Sequence, residues 1–275
     1  MKAGGAPDLE LRALALHALC ITDPQDKVAA VLATAGMGPS LWIAAHAPEP
    51  TPAAAVLPGR PARPQLVHPA RVPRRSPSSA QGLAALLHAI AHIEFNAINL
   101  ALDAAWRFDG MPGAFYTDWL RVAAEEAFHF SLLRDHLHSL QMQYGDLPAH
   151  DSLWAMCEKT KDDVVSRMAL VPRTLEARGL DATPQIQDKL RQAGTPAARR
   201  AVEILDIILR DEIGHVAIGN HWYRWLCERD GLDPLTHYPV LVERYQAGQL
   251  HPPFNRQARL AAGFTQLEVD ALLKM

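Results

Sequence analysis

Residues 115–137 have the sequence FYTDWLRVAAEEAFHFSLLRDHL, and their apolar residues recur at the three- and four-residue spacing of an amphipathic helix. The apolar stripe contains a carboxylate, Glu126, whose neighbours on the same helix face are Trp119, Val122, Ala123, Phe130 and Leu133. Burying an unpaired carboxylate is very costly, so Glu126 requires a partner. His129 follows three residues later on the same face, so the pair can direct a carboxylate and an imidazole at one point.

The same arrangement occurs again at residues 208–223, ILRDEIGHVAIGNHWY, with Glu212 and His215. A third helical stretch, residues 86–112, carries Glu94 on its apolar stripe. One Glu-x-x-His pair is a weak signal, since chance alone supplies such spacings. Two pairs and a further inward glutamate, each near the middle of a long predicted helix, instead indicate one shared buried site.

Long helices dominate the predicted secondary structure. Four of them are expected at residues 81–108, 114–143, 151–178 and 196–230, with a short helix at 184–194 between the last two. Prolines and capping residues mark the helix starts, and Gly179, Gly194 and Gly231 mark helix ends. Helices of this length, without strand alternation, predict an all-α protein built on a four-helix bundle.

The segments on either side of the predicted bundle differ from it in composition. Ten of the 21 prolines fall between Pro39 and Pro77, which excludes a regular helix there. We expect short helices at 8–20 and 24–36, a proline-rich strap at 38–80, an irregular stretch at 233–264, and a last helix that begins with a capping box at Thr265 and Glu268. The chain is thus divided into an N-terminal part (1–80), the bundle (81–232) and a C-terminal extension packed on the bundle (233–275).

A fourth carboxylate is expected from the third long helix. Glu176 shares its helix face with apolar residues, whereas the faces of Asp162 and Asp163 also carry charged residues. We therefore choose Glu176 and keep the two aspartates as alternatives. Pro172 removes a backbone hydrogen bond and should kink this helix, which would help to turn Glu176 inward.

The predicted metal ligands are Glu94, Glu126, His129, Glu176, Glu212 and His215. Four carboxylates neutralise two divalent cations, and this set matches the ligand plan of ferritin-like dinuclear bundles. Mixed carboxylate and imidazole ligands favour iron, with manganese or a mixed iron–manganese pair as alternatives. An acidic residue precedes each motif glutamate: we expect Asp211 to accept a hydrogen bond from His129, and Glu125 to accept one from His215, which would set the tautomer of each ligand.

Several segments together resemble one protein family. They are LLHAIAHIEFNAINLALDAAWRFDGMP (86–112), residues 115–137 and 208–223 quoted above, YGDLPAHDSLW (144–154), LVPRTLEARGLD (170–181), and the flanking segments 58–75 and 251–264. They resemble an uncharacterised bacterial ferritin-like family, the domain of unknown function 455 family. The resemblance covers nearly the whole chain and every proposed ligand. It implies a ferritin-like bundle with a dinuclear metal centre and no established substrate. A more distant similarity is to tRNA-modifying di-iron hydroxylases with the same paired motifs.

Composition narrows the function classes. The 27 basic and 30 acidic residues give a net charge of −3, which argues against a dedicated nucleic-acid binder. Five arginines between Arg60 and Arg75 leave nucleic acid as a less favoured partner. The separated Cys20, Cys157 and Cys227 fit neither a disulfide framework nor a thiolate zinc site, so a cytoplasmic location is expected. No apolar run approaches the ~20 residues of a membrane span, so we expect no membrane association.

The ligand set predicts an oxidoreductase that activates O2 and oxidises or hydroxylates an unknown organic substrate, either a small molecule or a modified nucleoside. The sequence has no Gly-rich nucleotide loop, so the electron donor is expected to be external. Large flanking segments could form a lid and a pocket wall, which favours an enzyme over a storage protein. The alternatives are a ferroxidase or iron-handling protein without organic substrate, and an interaction bundle with a structural metal site. A large cage would favour storage; we expect a monomer or homodimer.

Overall fold

The computed structural model describes residues 9–50, 56–72, 77, 79–248 and 250–272. These residues form helices and connecting turns without any β-strand, so the predicted all-α class is confirmed. The helices are α1 (Leu11–Cys20), α2 (Pro24–Gly36), α3 (Ala80–Arg107), α4 (Gly113–Ser139), α5 (Ser152–Lys159), α6 (Val164–Leu170), a π-helix (Val171–Glu176), α7 (Ala177–Ala193), α8 (Pro196–Arg229), α9 (Pro234–Arg244), α10 (Arg256–Ala261) and α11 (Gln266–Leu272).

The neighbouring helices α3 and α4 form the centre of the fold. Ser79 caps α3 by accepting a hydrogen bond from the backbone N–H of Gly82 at 3.1 Å, and α4 begins directly after Pro112. By length and composition α3 is apolar enough to cross a membrane, but 78% of its most apolar window is buried inside the protein. A helix that is apolar on most sides and covered by other helices is a core helix.

The third long helix is broken, so the prediction of one helix over residues 151–178 is wrong. The break precedes Asp163, whose side chain caps α6 by accepting hydrogen bonds from the backbone N–H groups of Val165 and Ser166 at 3.0 and 3.1 Å. A capping aspartate satisfies N–H groups that have no partner within the helix. Asp163 therefore starts a new helix instead of lying within one.

The distortion expected at Pro172 takes the form of the π-helix. Proline lacks an N–H group and its ring collides with the preceding turn of an α-helix, so the chain widens at this position. The hydroxyl of Thr174 donates a hydrogen bond to the carbonyl of Ala169 at 2.7 Å within the widened turn. The π-helix packs closely on α8 at Gly219, where a Cβ atom would lie 2.6 Å from the Cβ of Pro172.

Helix α7 passes through both residues that were expected to interrupt it. The predicted end at Gly179 and the predicted new helix at Pro184 are wrong. Pro184 cannot donate the helical hydrogen bond to the carbonyl of Leu180, but the side-chain Nδ2 of Asn255 donates one to that carbonyl at 3.1 Å. Helix α7 ends as predicted at Gly194, which has a φ of 63°.

Helix α8 follows the prediction closely. Thr195 caps its first turn by accepting a hydrogen bond from the backbone N–H of Ala198 at 3.1 Å. Gly231 follows its end with a φ of 66°. These local signals place Glu212 and His215 near the middle of a continuous helix.

The N-terminal segments pack on one side of the bundle. Helices α1 and α2 contact α3 and α4 and share their hydrophobic core. In the described parts of the strap, 38–50 and 56–72, the regular structure is limited to short 3₁₀ turns, as predicted. Arg60 pairs with Asp151 at 2.7 Å, and Arg74 and Arg75 lie outside the described residues.

The C-terminal extension is more helical than predicted, because α9 and α10 lie within the stretch 233–264 that was expected to be irregular. The predicted capping box of α11 is present: Thr265 donates its backbone N–H to Glu268 Oε2 at 2.6 Å, and Glu268 donates its own to Thr265 Oγ1 at 3.2 Å. Helix α10 contacts α7 and α8. The three-part division of the chain stays a prediction.

Candidate metal centre

Three helices bring glutamates and histidines together at the core of the bundle. Glu94 comes from α3, the pair Glu126 and His129 from α4, and the pair Glu212 and His215 from α8. All five residues are buried, and one ligand-type atom from each of Glu94, Glu126, His129 and Glu212 lies within 4.8 Å of the others. The i, i+3 spacing positions each pair, because both side chains leave the same face of their helix.

Glu126 lies between the two imidazoles. Its Oε2 is 3.4 Å from Nδ1 of His129, and its Oε1 is 2.9 Å from Nδ1 of His215. Glu94 Oε2 is 3.3 Å from Nδ1 of His129, and Glu212 Oε2 is 3.8 Å from Nδ1 of His215. None of these nitrogen and oxygen atoms makes a regular hydrogen bond with a described residue. These unpaired nitrogen and oxygen atoms therefore surround one common volume.

The outer nitrogen of each histidine is held by an acid from the opposite helix. The Nε2 of His129 lies 3.2 Å from Oδ2 of Asp211, and the Nε2 of His215 lies 2.7 Å from Oε2 of Glu125. Both hydrogen bonds that the sequence suggested are present. A carboxylate partner favours the proton on Nε2, so that the Nδ1 lone pair of the neutral imidazole is directed inward.

Glu176, at the end of the π-helix, is not among the four residues whose ligand-type atoms lie within 4.8 Å of one another, but it interacts electrostatically with Glu126, His215 and Glu94. The residue is partly exposed overall, but its Oε2 is buried and has no hydrogen-bond partner in the described part of the chain. Asp162 is exposed, and Asp163 is occupied as the cap of α6. Of these three carboxylates, Glu176 is therefore the one with a buried, unpaired oxygen.

The cluster contains more carboxyl groups than imidazoles, and their proximity shifts the pKa values of its members. Burial raises the pKa of Glu94 to about 7 and that of Glu176 to about 8, and the Glu126 carboxylate adds to both shifts. Burial also raises the pKa of Glu212 well above its usual range. Burial acts in the same direction on Glu126, but the two imidazoles hold its pKa below the ordinary value. The pKa of His129 is raised to about 11, because neighbouring carboxylates outweigh the opposing effect of burial. Such a cluster stabilises added positive charge.

A groove lies beside the cluster, between α4 and the N-terminal segments. It has a volume of about 740 Å³, and its walls include Leu11, Ala35, Leu41, Leu120, Glu125 and Phe128. Phe128 is 46% exposed. Glu125 lines the groove and also hydrogen-bonds to His215, so the groove reaches a residue in direct contact with the buried cluster.

Comparison with known proteins confirms the resemblance to the domain of unknown function 455 family, and neither its ferritin-like character nor the similarity to tRNA hydroxylases is tested by it. Residues 20–270 match the family described as protein of unknown function (DUF455). The chain belongs to this family. An uncharacterized protein of Haemophilus influenzae is 55% identical over 217 residues, which cover 76% of this chain and 74% of the relative. No solved structure matches the chain. Neither description names an activity, so functional inference depends on the site.

Sequence reasoning missed Arg173 and Arg259, two of the buried arginines in the C-terminal half, with exposed fractions of 4% and 0%. Arginine is normally exposed, so neither position carried a local signal of burial. Both line a cavity separate from the glutamate and histidine cluster.

Proposed function

We propose that the protein is an oxidoreductase with a dinuclear metal centre. Two divalent cations, iron in preference to manganese or a mixed pair, would be held by Glu94, Glu126, His129, Glu176, Glu212 and His215. The observation that carries this proposal is that each of these six side chains has a buried nitrogen or oxygen without a hydrogen-bond partner among the described residues. Such groups are costly to bury, and cation binding compensates for that cost.

The geometry supports distinct roles for the carboxylates. Both oxygens of Glu126 are buried and unpaired, and each faces a different imidazole, so Glu126 would use both oxygens to hold the cations. Glu94, Glu176 and Glu212 would each contribute a buried oxygen that has no hydrogen-bond partner among the described residues. Asp211 and Glu125 would keep the proton on Nε2 of the two histidines, so that Nδ1 is available as a ligand atom. Four carboxylates balance the charge of two divalent cations.

When bound, the metal pair supplies the redox chemistry that activates O2 for oxidation or hydroxylation of an organic substrate. The protein contributes coordination, exclusion of water by the apolar core, and a groove of suitable size for a small molecule or a modified nucleoside. Electrons would come from an external donor. The flanking α1 and α2 line the groove, which favours a substrate-binding enzyme over iron storage. A cytoplasmic location fits the three cysteines, which are all free thiols.

Metal analysis tests the proposal directly. The wild-type protein, purified without a histidine tag, is compared with a Glu126→Ala/Glu212→Ala variant and with a Glu203→Ala/Glu228→Ala variant. Glu203 and Glu228 are exposed glutamates on α8, so their variant is a matched control. We expect about two equivalents of iron or manganese in the wild type and in the control, and loss of metal from the site variant. Less than about one equivalent in folded wild type, after anaerobic Fe(II) loading, refutes the dinuclear centre.

Oxygen consumption and solution mass then separate the alternatives. O2 uptake that depends on an added organic compound, by a monomer or dimer, supports the oxygenase or oxidase. O2 uptake driven by Fe(II) alone in a large cage identifies an iron-handling protein instead. Bound metal without O2 uptake identifies a structural metal site.

A further inference from the structure

A second buried polar cluster lies in the C-terminal half and shares no residue with the proposed metal centre. Arg173, on the π-helix, donates hydrogen bonds from Nη1 to Asn220 Oδ1 at 2.8 Å and from Nη2 to Glu268 Oε1 at 2.7 Å. Its Nε is buried and finds no acceptor among the residues that the structure describes. The Nε–H of this guanidinium is therefore left without a hydrogen-bond partner in that part of the chain.

Arg259, on α10, is arranged in the same way. It donates from Nε and Nη2 to the two oxygens of Asp181, at 3.0 and 2.5 Å. Its Nη1 is buried and also lacks an acceptor within the described ranges. The guanidinium carbons of Arg173 and Arg259 lie 4.7 and 5.2 Å from the centre of the same ring, that of Phe264. Two incompletely paired arginines thus flank one aromatic side chain.

Both arginines line a cavity of about 260 Å³. Its remaining lining is largely apolar and includes Leu235, Tyr238, Leu250, Phe264, Ala271 and Leu272. Small-molecule sites are typically apolar cavities with a few placed polar groups. The arrangement here has that form: its charged groups are Arg173, Arg259 and Glu268, and Glu268 is already paired with Arg173 and Arg224.

The cluster carries an excess positive charge. Arg173 and Arg224 both pair with the single carboxylate of Glu268, and Arg259 pairs with Asp181. Three guanidinium groups are therefore matched by two carboxylates. Burial lowers the pKa of Arg173, and the Glu268 carboxylate acts in the opposite direction. A monoanion would restore the balance.

We propose that this cavity binds an organic carboxylate with an apolar body, such as a medium-chain or aryl acid. The ligand carboxylate would lie beside the guanidinium groups of Arg173 and Arg259, and its apolar body would fill the space lined by Leu235, Phe264 and Leu272. Guanidinium groups suit this role because they remain charged and present planar sets of donors to carboxylates. The proposal does not depend on the metal centre.

Calorimetric titration of the full chain with octanoate tests the charged and apolar requirements together. Octanoate should bind at one site and raise the melting temperature. Octanamide lacks the charge, and inorganic phosphate lacks the apolar body, so each should bind about tenfold more weakly or worse. Failure of folded wild type to bind octanoate overturns the proposal, as does equal binding of octanamide or phosphate.

A matched pair of substitutions on α11 locates the site. Replacing either arginine would also break its ion pair, so Ala271→Trp is used to fill the cavity instead. Leu267→Trp is the control, because Leu267 is 69% exposed on the same helix and does not line the cavity. Ala271→Trp should weaken octanoate binding by about tenfold or more, while Leu267→Trp binds like wild type. Equal binding by both folded variants overturns the location.

Octanoate binding and metal binding can be measured independently in these variants. Neither tryptophan substitution touches a proposed metal ligand, so both variants should retain the metal content of the wild type. If Ala271→Trp does not fold, the comparison of octanoate with octanamide on wild-type protein still decides whether the cavity recognises a carboxylate.

Discussion

Replacing Asp211 with asparagine should weaken metal binding without removing any proposed ligand. In the structure Oδ2 of Asp211 lies 3.2 Å from Nε2 of His129 and also accepts a hydrogen bond from Arg210 Nη2 at 3.1 Å, while Oδ1 accepts one from Arg210 Nε at 2.8 Å. In the Asp211→Asn variant the single amide oxygen would face the guanidinium of Arg210. The amide nitrogen would then face His129 and donate to its Nε2.

That reversal changes the tautomer of the imidazole. If Nε2 accepts a hydrogen bond, the proton moves to Nδ1, which is the atom 3.3 and 3.4 Å from the Glu94 and Glu126 carboxylates. A protonated Nδ1 cannot bind a cation. Loss of such an outer partner typically lowers metal affinity by about 10–100-fold, which corresponds to about 1.4–2.8 kcal/mol.

Anaerobic calorimetric titration with Mn(II) measures this effect. The control is Asp188→Asn on α7, because the Asp188 side chain is 69% exposed and its ion pair with Arg191 is remote from the cluster. The control should bind Mn(II) like wild type. A folded Asp211→Asn variant that binds Mn(II) with wild-type affinity would refute the assigned role of Asp211. A loss of thermal stability with unchanged affinity would assign Asp211 to the fold alone.

Three further outcomes are expected. Because the pKa of Glu176 is raised to about 8 without metal, its proton must leave before a cation binds. The apparent affinity for Mn(II) should therefore rise between pH 6 and pH 8, and a calorimetric affinity that does not change over this range would contradict the assignment. Asp103 is buried, and Arg167 lowers its pKa against the effect of burial, so Asp103→Asn should lower the free energy of unfolding in urea by about 3–5 kcal/mol at pH 7. The loss should become smaller as the pH falls through the depressed pKa of this carboxyl group, and an equal loss at all pH values would exclude the ion pair. Gly219→Ala should destabilise the protein by about 1–3 kcal/mol, because the new Cβ would collide with Pro172 of the π-helix. Gly214→Ala, with no described atom within 4 Å of the new Cβ, should leave the stability unchanged or raise it by up to about 1 kcal/mol, and equal shifts in melting temperature for the two variants would refute the close packing.

Much of the candidate site could be predicted because its information is local. The three-residue spacing of Glu126 and His129 places both side chains on one helix face whatever the rest of the chain does. Helix ends at Thr195, Gly194 and Gly231 were predictable for the same reason, since capping and positive φ depend on a few adjacent residues. The roles of these side chains as metal ligands stay a prediction.

The course of the third helix could not be predicted in the same way. Its sequence contains several competing local signals, and the packing of the folded chain decides between them. Asp163 lies on a face that was compatible with a ligand or with solvent, and the structure uses it as a cap. Pro172 indicated a distortion, but only contact with Gly219 of α8 shows how closely the widened turn packs.

The helical class, the helix ends at Gly194, Thr195 and Gly231, and the faces on which Glu94, Glu126 and Glu212 lie all follow from local patterns in the amino-acid sequence. The continuation of α7 through Pro184 depends on tertiary contacts, because the carbonyl left free by proline receives its hydrogen bond from Asn255, 75 positions away from Leu180. Tertiary contacts also decide the burial of the C-terminal arginines, since their acidic partners come from distant segments. Local signals act over a few residues, whereas hydrogen bonds and ion pairs of this kind exist only after folding has joined distant parts of the chain.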